Sequence, residues 1–319
     1  MRIISWNVNS LRSRIVDSTL ASKKKLCNVV KSTSPLGKLI KKVKPDIICF
    51  QETKCIDGKC FDSKYTTYWN CAKKAGYSGV SIWIDPKIKP LKVSNNLPGL
   101  ASQSKSLLDE GRILTVILKN LVVVNTYAPN TLRGGSNPTK TNLYIRNRIN
   151  WDRALKKYLI SLRKKYKNVI LCGDLNVARN EMDLYKGVMA QCKLAHAIDT
   201  KKANSRINAL TKRVKEGIHI TKYGGGAGYR LTERKEFEKL LNSGFVDVWR
   251  WKHPNLFGFT YWNMVQKAFR KANNGMRLDY FVVSKNLIKK VTKIEIFKEV
   301  GEVGGKVASD HAAIALWIN

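Results

Sequence analysis

The chain has 319 residues, with 59 Lys and Arg against 23 Asp and Glu, and its formal net charge is +36. No stretch approaches the 18 uncharged apolar residues of a membrane span, and the run after Met1 has a strand pattern rather than that of a signal peptide. Seven scattered cysteines without a CxxC pair predict free thiols in a reducing compartment, nuclear or cytoplasmic. The charge predicts a polyanionic partner, nucleic acid first, although a lysine-biased genome gives the same excess.

Short runs rich in Ile and Val alternate with amphipathic segments. The runs that predict buried strands are RIISWNVN, DIICFQETK, YSGVSIWI, ILTVIL, VVVNTYAPN, VILCGDLN, LDYFVVSK and SDHAAIALWI. Helices are predicted after the N-cap Ser34, from Trp151 to Leu162, and in TERKEFEKLLNSG, where Thr232 is the predicted cap and Gly244 follows the end. The tight turn at Lys119 and Asn120 favours mixed sheets with helices outside, in a single domain spanning 1–319.

Two segments interrupt this pattern and are predicted to be insertions. They span about 16–33 and 187–223, and the second is rich in Lys and Arg with weak periodicity. Loops of this length are either functional or surface decoration, and both interpretations stay open.

Polar side chains lie at or beside the ends of the predicted strands. They are Asn7, Glu52, Tyr127, Asn130, Asp174, Asn176, Asp279, Asp310 and His311. Each alone is more simply a cap or a surface charge, and Asp279 could pair with Arg277. Strand ends of layered sheets meet in one crevice, however, and this set together is typical of metal-assisted phosphoryl transfer. Carboxylate and amide oxygens suit a hard cation such as Mg²⁺.

The order of the motifs points to a family. SWNVN, PDIICFQETKC, TYAPN, GDLNVARNEMDL, RLTERKEF, FTYW, RLDYFVVS and SDHAAI follow one another along the chain. The sequence closely resembles the exonuclease III family of apurinic/apyrimidinic (AP) endonucleases. QETK, GDLN and SDH mark the wider endonuclease/exonuclease/phosphatase superfamily, whereas TYAPN, TERKEF and RLDYF are specific to the AP endonuclease branch.

The resemblance implies a fold and an activity. The fold is a four-layered α/β sandwich of the DNase I-like type, with two mixed sheets packed face to face and helices outside. The activity is hydrolysis of the phosphodiester bond 5′ to an abasic site in double-stranded DNA, by a monomer with Mg²⁺ or Mn²⁺. It leaves a 3′-OH and a 5′-deoxyribose phosphate, and 3′-exonuclease or 3′-phosphodiesterase activity accompanies it in this family.

The resemblance also implies roles for residues. Glu52 and Asp310 are the main metal ligands, and Asn9 stands where some members have Asp. Asp174 orients or deprotonates the attacking water. The other metal candidates are Asp174, Asn176 and His311. Among the other catalytic candidates, Asn7 holds Asp174 or the phosphate. Tyr127 and Asn176 contact the phosphate. His311 donates a hydrogen bond to the phosphate, and Asp279 fixes the tautomer of His311.

DNA contacts and a pocket for the abasic sugar are implied as well. Asn130 and Arg133 contact the substrate strand, and Tyr77, Lys54 and Arg112 contact DNA or support the site. The pocket is built from Tyr261, Trp262, Met276 and Leu278, although FTYW alone could equally be core packing. Met276 stands where many members have Trp, which predicts a looser pocket and favours 3′-end trimming.

Two other functions remain alternatives. One is a different phosphodiesterase or a nonspecific nuclease of the same superfamily, and the other is a basic, non-catalytic DNA-binding protein. The second insertion is expected to lie along the DNA backbone, and Cys172 is expected to be packed and chemically idle.

Overall fold

The Ile- and Val-rich runs form the strands of two sheets. The computed structural model describes residues 1–11, 30, 32–55, 64–131, 138–185, 227–263, 270–299, 302–303 and 306–319. Arg133 and the predicted insertion at 187–223 lie outside the described residues, as does nearly all of the insertion at 16–33. The single domain spanning 1–319 stays a prediction.

The elements in chain order are as follows. The strands are β1 (Arg2–Asn7), β2 (Ile47–Gln51), β3 (Thr66–Asn70), β4 (Val80–Ile84), β5 (Lys92–Ser94), β6 (Ile113–Ile117), β7 (Val122–Tyr127), β8 (Val169–Asp174), β9 (Phe245–Asp247), β10 (Asp279–Ser284), β11 (Val291–Phe297), β12 (Glu302–Val303), β13 (Lys306–Val307) and β14 (Ala313–Ile318). The helices are α1 (Pro35–Val43), α2 (Ala101–Leu108), α3 (Pro138–Tyr166), α4 (Leu231–Asn242) and α5 (Val248–Lys252). Single 3₁₀ turns span Glu181–Asp183 and Ile288–Lys290.

Both large sheets have six strands and both are mixed. The first has the order β11-β14-β1-β2-β4-β3, and the second has the order β5-β6-β7-β8-β10-β9. Only the β1–β2 and β7–β8 pairs among these described strands are parallel, so the carboxyl ends of two strands meet at one edge of each sheet. The predicted hairpin joins β6 to β7, and the amide of Leu118 donates to the carbonyl of Leu121 across its turn.

The core lies in three layers. Side chains of both sheets interlock between them, among them Ile3, Ile82, Val116, Val123, Phe281 and Leu316. Leu36 and Leu39 of α1 pack on the outer face of the first sheet, and Trp151 of α3 and Phe237 of α4 pack on the outer face of the second. The predicted four-layered α/β sandwich is therefore confirmed. Among the described residues, no helix has the length and apolar character of a membrane span.

The helix ends test the capping predictions. Ser34 caps α1 as predicted, since its Oγ accepts from the amide of Gly37 at 3.0 Å. The prediction of Thr232 as the cap of α4 is wrong, because Thr232 already lies inside the helix, which begins at Leu231. Arg230 takes the N-cap position and its amide donates to the Glu233 carboxylate at 2.9 Å. Gly244 lies just past the helix with φ +96°, a conformation that favours glycine.

Candidate active site

The sheet register brings the polar strand ends together. Tyr127 pairs with Asp174 across the parallel β7–β8 ladder, and Asp279 pairs with Asp174 across the antiparallel β8–β10 ladder. Gly173 is required at this edge, because its φ is +130° and a Cβ there would lie 1.9 Å from the carbonyl oxygen of Thr126. The GDLN motif thus combines a close backbone approach with a carboxylate.

Asn7 links the two sheets at the centre of the site. Its Nδ2 donates to Glu52 Oε1 at 3.1 Å and to Asp174 Oδ2 at 3.0 Å. Because Asn7 is fully buried at the end of β1, this amide holds one carboxylate from each sheet in a fixed relation. The contact with Asp174 is one of the two that the sequence predicts for Asn7, the other being contact with the phosphate.

His311 and Asp279 form a buried pair. The Nδ1 of His311 lies 2.8 Å from Asp279 Oδ2, and its Nε2 lies 3.8 Å from Asp174 Oδ2. Burial lowers the pKa of His311, but the charges of Asp279 and Asp174 outweigh it and raise the pKa to about 10. The ring is therefore an imidazolium at neutral pH.

Asp174 is the carboxylate nearest to that ring. Burial raises its pKa to about 7, with a further rise from Asp279 and opposing contributions from His311, the Asn176 amide and Asn7. A carboxylate with a pKa near neutrality is suited to accept a proton from water.

Asn176 and Asn130 form the amide side of the site. Asn176 has φ +46°, and its Nδ2 donates to the carbonyl of Ala128 at 2.9 Å. The Nδ2 of Asn130 donates to the Oδ1 of Asn176 at 3.2 Å. These side chains join the loop after β7 to the loop after β8.

An oxygen-rich cluster lies on the side of the first sheet. Asn9 Nδ2 donates to Asp310 Oδ1 at 3.0 Å, while Lys54 Nζ lies 3.2 Å from Glu52 Oε2 and donates to Asn9 Oδ1. Burial raises the pKa of Glu52, but Lys54, Asn7 and His311 outweigh it, so the pKa lies below its ordinary value. Lys54, predicted to contact DNA or support the site, is an ammonium held by these oxygens.

This oxygen cluster fits a hard metal ion. In the part of the chain that the structure describes, no three His, Cys, Asp or Glu side chains form a metal-binding group. Mg²⁺ commonly takes one or two carboxylates and keeps several waters. Glu52, Asp310 and the Asn9 amide oxygen supply such a set, and the Lys54 ammonium already bridges two of these three side chains.

Tyr127 is supported from below by Arg112. The guanidinium of Arg112 lies 4.6 Å from the Tyr127 ring centre and donates to the Tyr127 carbonyl at 3.1 Å and to Tyr77 Oη at 2.8 Å. Arg112 is only 2% exposed, and Glu110 accepts from both Arg112 and Tyr77, so these contacts fit the supporting role. Burial raises the pKa of Tyr127 well above its usual value of 10, and the charge of Glu52 raises it further. The hydroxyl therefore stays protonated and can donate a hydrogen bond.

Three of the four predicted pocket residues lie together. Tyr261, Met276 and Leu278 join a small apolar cluster with Ala178, Leu184 and Tyr229, and the Tyr261 ring lies 4.9 Å from that of His311. The structure separates Trp262 from them. Only 2% exposed, Trp262 packs with Phe259 and Ala312, because neighbouring residues in extended backbone point to opposite sides.

Several supporting residues were not predicted from the sequence. Ser309 donates to the Asn7 carbonyl at 2.7 Å and accepts from the His311 amide at 3.1 Å, and Trp6 donates to the His311 carbonyl at 3.1 Å. Between the sheets, Gln51 Nε2 donates to Asn125 Oδ1 at 2.7 Å. Ser309 belongs to the SDH motif and Gln51 to QETK, which was the available signal.

Arg277 does not pair with Asp279. It forms short ion pairs with Asp183 and Asp247, at 2.8 Å and 2.7 Å. The Asp279 carboxylate is therefore left to His311, which rules out the simpler structural interpretation of this residue.

The fold and the site define a class. Two face-to-face mixed sheets, with carboxylates, amides and an imidazolium at their converging strand ends, are an arrangement suited to phosphoryl transfer. The sequence profile of the endonuclease/exonuclease/phosphatase family matches residues 4–311, and the chain belongs to this family.

Relatives refine the comparison. The chain is 34% identical to an exodeoxyribonuclease of Bacillus subtilis (strain 168), with 100% of both chains covered. It is 30% identical to the DNA repair nuclease APEX1 of Danio rerio, covering 100% of this chain and 82% of that one. Among solved structures, the AP endonuclease LMAP from Leishmania major matches with a TM-score of 0.68 and 25% identity, covering 100% of this chain and 87% of that one. Exonuclease III-type nucleases and AP endonucleases are thus its homologues.

Proposed function

We propose that the protein is a DNA repair AP endonuclease that hydrolyses the phosphodiester bond 5′ to an abasic site in duplex DNA. The products are a 3′-OH and a 5′-deoxyribose phosphate. The observation that carries the proposal is the hydrogen bond from the Asn7 side-chain amide to Asp174, beside the Asp279–His311 pair. It holds a proton acceptor, Asp174 Oδ2, 3.8 Å from a cationic donor, His311 Nε2. In-line attack on a phosphodiester needs both.

Each side chain has a part in the reaction. Asp174 accepts a proton from the attacking water, and the His311 imidazolium donates to a non-bridging phosphate oxygen. Tyr127, still protonated, donates to the phosphate or to the leaving 3′ oxygen, and the amides of Asn176 and Asn130 bind phosphate oxygens. Removing one such donor typically costs about 10²–10³-fold in rate.

Glu52, Asp310 and Asn9 would hold Mg²⁺, or Mn²⁺ in its place. When bound, the ion supplies positive charge that offsets the negative charge developing on the phosphate and the leaving oxygen. Lys54 Nζ must move from its contacts with Glu52 and Asn9 or share them.

The net charge of +36 supports a DNA substrate, since clustered cations raise the association rate with a polyanion. We propose that the protein acts on this substrate as a monomer, inside the cell. The names of the relatives from Bacillus subtilis and Danio rerio support DNA as the substrate.

A second activity, trimming of 3′ ends, is favoured by Met276. This flexible side chain is half-buried in the pocket cluster, where it fills space less rigidly than a large ring would. The relative from Bacillus subtilis is named an exodeoxyribonuclease.

One comparison of substrates tests the proposal. Initial rates are measured with Mg²⁺ on a duplex with a single abasic analogue, on the same duplex intact, and on a duplex with a recessed 3′ end. The proposal predicts fast incision of the first, slower trimming of the third and no internal cutting of the second. Equal internal cutting of all three would indicate a nonspecific nuclease instead.

A further inference from the structure

Arg148 of α3 points inward, toward the ends of β7 and β8, and is only 2% exposed. Its Nη1 donates to the carbonyls of Pro129 and Asn176, at 3.1 and 3.0 Å, and its Nη2 donates to the carbonyl of Leu175 at 2.7 Å. Its Nε lies 2.9 Å from both carboxylate oxygens of Asp152. A buried guanidinium must have its N–H groups paired, and three of its hydrogen bonds here go to the backbone of the two loops that carry the amide side of the site.

These carbonyls determine where the amide side chains point. Pro129 directly precedes Asn130. Asn176 has φ +46°, a backbone conformation that residues other than glycine seldom adopt unless other contacts hold it. The guanidinium provides this support, because it bonds to both loops at once. The 3.2 Å contact between Asn130 and Asn176 depends on the two loops keeping this spacing.

The Leu175 carbonyl connects Arg148 to Asp174. This carbonyl and the amide N–H of Asn176 belong to one planar peptide group. The oxygen accepts from Arg148, and the N–H donates to Asp174 Oδ1 at 2.9 Å. The orientation of that single peptide group is thus held at both ends.

We propose that Arg148 is a positioning residue for phosphate binding: its fork locks the Pro129 and Leu175–Asn176 backbone so that Asn130 and Asn176 are aimed at the scissile phosphate. The inference rests on the proposed function, because it takes these two amides to be phosphate ligands. Arg148 itself touches no reacting group.

The acidic surroundings of Arg148 fit this role. Asp152, one turn along α3, neutralises its charge, and Glu233 of α4 lies 3.9 Å away. Glu233 also accepts from the Thr131 hydroxyl at 2.8 Å, so the loop after β7 is held from a second side. Lysine cannot replace this arrangement, since an ammonium keeps the charge but lacks the planar fork that reaches three carbonyls.

A double-mutant cycle with Arg148→Lys and Asn176→Ala tests the proposal on abasic duplex. Arg148→Lys is expected to lower kcat by about 10–100-fold, with a much smaller change in KM, because charged hydrogen bonds that aim transition-state donors are lost. Asn176→Ala alone is expected to cost about 10²–10³-fold. Because Arg148 acts through Asn176 and Asn130, adding Arg148→Lys to Asn176→Ala should slow the reaction by clearly less than Arg148→Lys slows the wild type. Fully additive losses would overturn the proposal.

Amide hydrogen exchange provides a readout that does not need activity. In the wild-type protein the Asn176 amide should be as protected as the β8 amides, and in Arg148→Lys its exchange should rise about tenfold or more while β8 stays protected. An Asn176 amide that exchanges freely in the wild type, or that is unchanged in the variant, would overturn the proposal. If the wild type fails to incise abasic DNA, the proposed function is refuted. The exchange measurement still shows in that case whether Arg148 holds the Asn176 backbone.

Arg163→Lys is the matched control. Arg163 lies on the same helix and donates to a single carbonyl, that of Gly244, at 3.3 Å. This substitution should leave kcat and the exchange of the Asn176 amide unchanged. An effect on kcat equal to that of Arg148→Lys would show that any loosening of α3 slows the reaction, and would contradict a specific role for Arg148.

Discussion

The Nδ1 of His311 lies 2.8 Å from the Oδ2 of Asp279, and both side chains are buried between the two sheets. This contact accounts for much of the raised pKa of His311, together with the charge of Asp174. The pair is therefore a cation held in place by a carboxylate. A neutral histidine there could not present a donor at Nε2 while Nδ1 also donates to Asp279.

The two titrating groups predict the shape of the pH–rate profile. Asp174 must be ionised to accept a proton, so the rate should rise as the pH passes through its pKa of about 7. His311 must be protonated to donate, so the rate should fall above a pH of about 10. The measurement is kcat against pH at saturating Mg²⁺, and a profile that falls between pH 6 and 8 would contradict these assignments.

Asp279→Asn should move both limbs of that profile, because the charge of Asp279 raises the pKa of His311 and also that of Asp174. The amide can still accept from the ring but carries no charge, so the pKa of His311 should drop and the alkaline limb should shift to lower pH. Asp109→Asn is a suitable control, because Asp109 forms a surface pair with Lys73 at 2.9 Å. An alkaline limb that stays in place would show that Asp279 does not set the charge of His311.

Met276→Trp should sharpen the choice of substrate. A rigid ring beside Tyr261 and Leu278 would fill the pocket and disfavour an intact nucleotide there. The ratio of 3′ trimming to abasic incision is expected to fall by about tenfold. Leu91→Trp adds the same ring at an exposed position and should leave the ratio unchanged. No change in either variant would mean that Met276 does not control specificity.

A pair of glycine substitutions tests the geometry of the GDLN strand end. Gly173→Ala places a Cβ 1.9 Å from the Thr126 carbonyl oxygen, whereas Gly76→Ala, at φ +70°, meets nothing within 4 Å. The first should lower the free energy of unfolding by about 3 kcal/mol or more, and the second by about 1–2 kcal/mol. Denaturant unfolding measures both losses. Equal losses would show that the cost comes from the positive φ alone and that the close approach of Gly173 to the Thr126 carbonyl adds nothing.

Local patterns were enough to predict the strands that carry the site. Asp174 and Asn176 lie at the end of the apolar run VILC, so both could be placed at a strand end from sequence alone. Six strands were missed. β3 and β11 lack a regular alternation of buried and exposed residues, and β5, β9, β12 and β13 have only two or three residues each. The partners of Arg277 could not be predicted, since Asp183 lies 94 positions away in the chain. The carbonyls that accept from Arg148 could not be predicted either, since they depend on how the loops after β7 and β8 fold.

The abasic pocket shows a different limit. FTYW is equally consistent with packing and with a pocket, and the structure divides it: Tyr261 faces the site and Trp262 faces the core. The backbone pairing of Tyr261 with Met276 and with His311 turns Tyr261 toward the site and Trp262 away from it. These partners are distant in the sequence, so the pairing could not be predicted from FTYW alone.

The most direct measurement maps the cut on a duplex with one abasic analogue, at nucleotide resolution, for the wild type and Asp174→Asn. We predict a single Mg²⁺-dependent incision 5′ to the analogue by the wild type. Asp174→Asn should cut at least about 10³-fold more slowly while still binding the duplex, because it loses the proton acceptor and not the phosphate ligands. Cutting at unmodified positions inside the duplex, or loss of binding together with cutting, would contradict the account.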